Sequence, residues 1–212
     1  MQSESAGDLQ APGYFGKVPA KGDFLSRRMP AAFAAAWEAW LQQLTLAVRE
    51  AGQPGWQDAW LTAPVWHFLL GRNIAPPLGA AGVLVASADR VGRLFPFTLI
   101  GAAMPSGADP AAWGTSAEAL VLAALEDDFD PARLDASLAE LGPPAPIAGP
   151  NRPEGAWPLA LDGDWPQSAE EAGAGPDQSE WWCRGSDLVA PTRMRCSGLP
   201  RRQLARGMIL GA

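Results

Sequence analysis

The chain has 212 residues, 48% of them hydrophobic, with ten tryptophans and a formal net charge of −7. That size suits one domain with a sizeable core and excludes wholesale disorder. The acidic balance disfavours broad nucleic-acid binding, which needs Lys and Arg to neutralise phosphates, and no apolar run reaches the ~18 residues a membrane helix requires, so neither nucleic acid nor membrane insertion is expected.

Residues 1–12, MQSESAGDLQAP, have no positive n-region and no apolar h-region. They read as a disordered tail rather than a secretory signal, and the expected location is the cytoplasm. Residues 13–30, GYFGKVPAKGDFLSRRMP, pack three glycines, two prolines and three aromatics around Lys17, Lys21, Asp23, Arg27 and Arg28. Glycine permits positive φ and proline locks φ, so this density predicts an irregular, turn-rich backbone.

From Pro30 toward Glu50 the apolar residues Phe33, Trp37, Trp40, Leu41, Leu44 and Val48 recur at helical spacing, with Gly52 as a stop. Trp56–Thr62 reads as a short helix. Val65–Leu70, Ala80–Ala86 and Leu94–Ala102 are apolar runs bounded by breakers, hence strands. The short connection SADRVGR makes the last two an antiparallel hairpin, and Pro96, which cannot donate to a ladder, predicts a bulge or a sheet edge. Asp109-Pro110 and Asp130-Pro131 each offer a capping carboxylate followed by a proline suited to the first helical turn. The helices they start bury Trp113, Ala117, Leu120, Val121 and Leu125, and Leu134, Leu138 and Leu141, with Gly142 closing the second.

Residues 142–155, GPPAPIAGPNRPEG, are the strongest linker candidate. Beyond them, 157–161 and 179–185 are strand-like, with the acidic surface loop QSAEEAGAGPDQ between. One more strand at 193–197 and a helix over 200–210 complete the chain. The expectation is one domain over 13–212, of α/β class with α+β character: a mixed, largely antiparallel central sheet covered by helices.

The chemical inventory is thin. His67 is the single histidine, which excludes a zinc site built on two, and its apolar strand favours a packed histidine over a catalytic base. No GxSxG elbow is present. The glycines and lysines of 13–22 invite a phosphate loop, but Lys17 is followed by valine and Gly22 by aspartate, so the GxxxxGK[ST] spacing fails. Asp127, Asp128 and Asp130 read as helix capping on a solvated surface rather than a metal site. Cys183 and Cys196 are expected to be free thiols, with a bridge across paired strands as the open alternative. Trp181 and Trp182 are adjacent in a strand and face opposite ways, so Trp182 or its neighbour must cover a second layer or lie exposed. No cofactor, metal or enzymatic activity is expected.

Three phrases in order carry a resemblance: GYFGKVPAKGDFLSRRMP leading into WEAWL; DAWLTAPVWHFLL followed by GVLVASADRVGRLFPFTL; and EWWCRGS with GLP near the end. Together they resemble the TagF/ImpM family associated with bacterial type VI secretion. The likeness runs from about Gly13 to beyond Pro200. The Pro-rich segment and the acidic loop of the C-terminal third match none of its motifs.

The resemblance implies a cytoplasmic post-translational repressor that binds the FHA-domain scaffold protein of the secretion system, with recruitment to the membrane-associated apparatus. The alternative expectation is a sensor module for a small ligand or nucleotide. The residues within the matching phrases are Gly16, Lys17, Lys21, Gly22, Asp23, Phe24, Arg27, Arg28, Asp89, Arg90, Gly92, Arg93 and Trp182. If the two loops that carry them are neighbours, their cations form a basic patch on an acidic protein. Asp23 and Asp89 would then orient some of them. Whether those cations meet a partner or hold irregular backbone inside the domain stays open at this point.

Overall fold

The computed structural model describes residues 11–52, 54–146 and 175–211. Seven strands form one sheet: β1 (Gly13–Gly16), β2 (Leu25–Arg27), β3 (Trp66–Leu70), β4 (Ala80–Val85), β5 (Phe97–Ala102), β6 (Gln178–Cys183) and β7 (Thr192–Ser197). Their order is β2-β1-β5-β4-β3-β6-β7, and every neighbouring pair is antiparallel. Five helices cover it: α1 (Ala31–Glu50), α2 (Trp56–Leu61), α3 (Pro110–Ala123), α4 (Pro131–Leu141) and α5 (Arg202–Leu210). The fold is thus of mixed α and β type around an antiparallel sheet.

Strand alternation decides which residues reach which layer. Trp66, Phe68 and Leu70 of β3, Leu84 of β4, Ile100 of β5 and Trp181 of β6 pack against Trp37, Trp40, Leu41 and Leu44 of α1, Trp60 of α2 and Met208 and Ile209 of α5. On the opposite face Leu69, Val83, Val85, Phe97 and Leu99 meet Trp113, Ala117 and Val121 of α3 and Leu134 and Leu138 of α4. β4 and most of β5 are buried on both faces, which is why they read as unbroken apolar runs in the sequence.

The tryptophans do more than fill volume. A buried indole N–H without a partner is costly. Trp37 donates to Thr98 Oγ1 at 3.2 Å, Trp40 to the Pro200 carbonyl at 2.9 Å, Trp60 to Ser87 O at 2.8 Å and Trp66 to Met208 O at 2.9 Å. Trp113 reaches Gly142 O at 2.9 Å and Trp181 reaches Ser179 Oγ at 2.8 Å. Several of these bonds join segments far apart in the chain, so they pin α1, α2 and α5 in position over the sheet.

The helix starts follow the sequence signals. Asp109 accepts from the amides of Ala111 and Ala112, and Asp130 from that of Ala132, each with a proline next in line. Gly142 closes α4.

Three expectations need correction. The opening motif is not irregular throughout: Gly13–Gly16 is a strand between β2 and β5, and only residues 17–24 form the loop joining β1 to β2. Pro96 marks neither an edge nor a bulge. It stands just ahead of β5, a central strand, and its carbonyl accepts the Lys17 amide at 3.3 Å. The start of the presumed linker is paired: Pro143 O and Pro144 O accept from Ala108 and Met104, and Ala145 N donates to Ala108 O. The strand expected at 157–161, the rest of that linker and most of the acidic loop lie outside the described residues.

Candidate interaction site

The loop of residues 17–24 and the connection between β4 and β5, residues 86–96, lie side by side at one end of the sheet. Backbone and side chain both join them. Arg90 N donates to Lys21 O at 2.9 Å, and Arg93 Nη2 donates to Gly22 O at 2.6 Å. At the base, Gly16 has φ of 133°, and a Cβ there would overlap the Pro96 carbonyl. That close approach lets β1 hand the chain directly into the loop.

Asp89 is the centre of the arrangement. It is 3% exposed. Its Oδ1 accepts from the amides of Val91 at 3.1 Å and Arg93 at 2.9 Å. Its Oδ2 accepts from Lys17 Nζ at 2.9 Å and Arg93 Nε at 2.6 Å. Gly92 N closes the turn onto Asp89 O at 2.8 Å. Burial by itself raises the carboxyl pKa, but these four donors more than reverse it and hold Asp89 well below the usual carboxylate range. Lys17, 7% exposed, is buried with it, and its ammonium also sits 4.8 Å from the centre of the Phe24 ring. Phe24 in turn meets Phe95 edge-on at 4.8 Å and lies over Phe15 at 5.9 Å.

Of the candidate cations, Lys17 and Arg93 are therefore committed to Asp89, and Arg93 also to the neighbouring loop. Arg27 and Arg28 turn elsewhere. Arg27 Nε lies 3.2 Å and Arg28 Nη2 2.9 Å from the carboxylate of Asp135 on α4, and Arg28 Nε donates to Pro12 O at 2.8 Å. Arg28 adopts φ of 52°, unusual for a side chain other than glycine. The four cations thus hold the loops and the β2 edge. Lys21 and Arg90 make no ion pair among the described residues, and neither does Asp23. The Arg90 guanidinium lies beside Gly22, whose added Cβ would be 3.8 Å from Nη2.

Trp182 belongs to a different region. Trp181 is buried beneath α1, while Trp182 points to the other face and stacks on His67 at 5.4 Å. His67 is buried, and its Nε2 lies 2.7 Å from Glu118 Oε2 on α3. Desolvation lowers the His67 pKa despite the opposing pull of Glu118, so the neutral ring donates its Nε2–H to that carboxylate. On the other side of the ring a Cβ at Gly114 would stand 2.9 Å from Nδ1, so the histidine fills a slot in α3.

Residues that the sequence did not single out complete the polar framework. Asp135 receives Arg27 at the end of β2 and Arg28 just after it. Glu180, 1% exposed, is clasped by Arg193 and Arg195 of the neighbouring strand. The alternation of β6 and β7 would have revealed that second pairing had their register been known, since Glu180 lies directly opposite Arg195. Nothing local marks Asp135. The cysteines are free: Cys183 faces Thr192 across the ladder and Cys196 faces Ser179. Burial pushes the Cys196 thiol up to about 12. The aspartates after α3 divide as capping predicts, Asp130 starting α4 and exposed Asp128 meeting Arg133 at 3.5 Å.

Both loops of the pair fall within residues 13–141, which match the model of the TagF N-terminal domain, type VI secretion system-associated. No curated protein sequence matches the chain significantly. Among solved structures, the crystal structure of PA0076 from Pseudomonas aeruginosa PAO1 is similar with a TM-score of 0.72 and 28% identity over 95% of each chain. With more than half its length matched, the chain belongs to the TagF N-terminal domain family of type VI secretion-associated proteins.

Proposed function

We propose that the protein is a non-enzymatic regulator that represses type VI secretion after translation by binding the FHA-domain scaffold protein of that system. The observation that carries this reading is the coincidence of the family match with a loop pair fixed from within and exposed at its rim. Binding rather than turnover suits the chemistry of that pair. Asp89 has both oxygens occupied by four donors, and Lys17 is buried against it, so neither is free to move a proton or receive a phosphate. His67 is likewise engaged, between Glu118 and Trp182. The protein would act in the cytoplasm and be recruited to the membrane-associated apparatus. Among the described residues no helix is long and apolar enough to cross a membrane, so recruitment would run through the partner.

The test is retention of the purified scaffold by the full chain at low salt, together with secretion from cells that overproduce the chain. Retention with reduced secretion is the expected result. A scaffold that passes unretained, or secretion that stays unchanged, contradicts the proposal.

A further inference from the structure

At the end of the sheet where the two loops meet, apolar and cationic side chains stand in solvent together. Val91 is 68% exposed and Phe24 45%. The bond from Trp60 Nε1 to Ser87 O draws α2 to the same end, and its last residue, Leu61, is 59% exposed. Scattered exposed apolar residues are ordinary, but these three share one end of the molecule. Val91 occupies the tip of the turn between Asp89 and Arg93, just before Gly92, which takes the left-handed position with φ of 81°. It gains nothing there from burial.

Charge sets the rim apart as well. Within residues 17–24 and 86–96 the cations Lys17, Lys21, Arg90 and Arg93 outnumber the carboxylates Asp23 and Asp89, on a chain of formal net charge −7. The excess positive charge sits at Lys21 and Arg90, which make no ion pair among the described residues. The surface is also preorganised: Asp89 fixes the turn, Arg93 and Arg90 fix it to the other loop, and Lys17 and Phe95 hold Phe24. Little ordering remains to oppose association.

The geometry points to this rim, Lys21, Phe24, Arg90 and Val91, with Leu61 at the same end of the sheet, as a docking surface for an acidic segment of a partner protein that presents an apolar side chain between its carboxylates. The inference rests on the regulatory reading above in taking the scaffold as the natural carrier of that segment. Carboxylates would meet Arg90 and Lys21, and the apolar side chain would cover Val91 and Phe24. The match of positive rim to acidic segment would favour this approach on a chain that is acidic as a whole.

The experiment compares Lys21→Glu, Arg90→Glu and Val91→Ser with the unaltered full chain by calorimetric titration against the scaffold at low and high salt. Arg206→Glu, on the exposed side of α5, is the control. None of the three rim side chains makes a hydrogen bond or ion pair among the described residues, so melting temperatures should stay unchanged. Each charge reversal should weaken binding about tenfold, and high salt should do the same to the parent. Val91→Ser should cost about three- to tenfold, and the control should bind normally. Normal binding by all three rim variants overturns the surface and leaves the regulatory reading standing.

If the scaffold does not bind the unaltered chain, the regulatory reading fails, and a synthetic peptide with leucine flanked by glutamates becomes the probe. Resonance shifts confined to residues 21–24 and 90–93, absent in Arg90→Glu, would then support the surface. No shifts there would overturn it. Self-association, or binding to anionic vesicles, that is abolished by Arg90→Glu would equally overturn an acidic protein segment as the occupant.

Discussion

Two carboxylates anchor the opening motif, and they do so under opposite conditions. Asp89 is almost wholly buried and accepts four hydrogen bonds, two from cations and two from its own turn. Asp135 is partly exposed on α4, meets Arg27 of β2 and the following Arg28, and leaves Oδ1 without a well-formed hydrogen bond although Arg28 Nη2 is 2.9 Å away. The contrast separates a brace from a tether. A buried charge held by four donors permits one arrangement of the loops, whereas a partly solvated cluster with an imperfect bond contributes less and tolerates adjustment. The same cation-rich motif therefore serves three ends. Lys17 reaches the brace, Arg27 and Arg28 the tether, and Lys21 remains at the rim.

The brace is the more sensitive of the two sites. Asp89→Asn strands the Lys17 ammonium in a buried setting without its counter-charge. Unfolding by urea should show a loss of about 3–5 kcal/mol. A loss below about 1 kcal/mol would mean that Lys17 simply turns out to solvent and that the brace is not one. Asp135→Ala should cost less, about 1–2 kcal/mol: Arg27 is exposed and water can replace its pairing, while Arg28 Nη2 loses a carboxylate it does not hold in a well-formed hydrogen bond. Equal losses at the two sites would erase the distinction.

A pH series sharpens it further. The Asp89 carboxyl is depressed in the folded state, so its contribution is complete above the unfolded value of about 3.9 and fades only as pH falls below that. His67 is also depressed, relative to about 6.5 in the unfolded chain. Below that pH the unfolded state takes up the proton first, so stability declines as pH falls from about 6.5. Between pH 7 and 5 the slope should belong to His67, facing Glu118 from α3 and Arg184 from beyond β6. His67→Gln should flatten it while leaving the acid-limb loss from Asp89 in place.

Much of this fold is legible in the sequence where signals are local. The hairpin β4–β5, the Asp-Pro starts of α3 and α4, and the apolar stripe of α1 each depend on residues close together in the chain. β1 escapes because four residues framed by glycines look like a turn, and its partner β5 lies some eighty positions away. Pro96 misleads for a related reason. It forbids a ladder donor but leaves a carbonyl, and that carbonyl takes the Lys17 amide.

The site divides along the same line. The sequence raises the proximity of the two loops only as a condition for a basic patch, and it does not say which cation faces inward. Lys17 and Lys21 are alike in type and four residues apart. One is buried on Asp89 and the other lies at the rim, because only the path of the loop between them decides. Asp135 and Glu180 stay hidden because their partners come from other elements.

Asp89 binds the two loops into one unit through the buried Lys17 and the Arg93 turn. The direct measurement is a double-mutant cycle in urea between Lys17→Met and Asp89→Asn. A shared buried pair predicts a coupling of about 2–3 kcal/mol, the double variant being less damaged than the sum of the singles. Additivity within about 0.5 kcal/mol would contradict it.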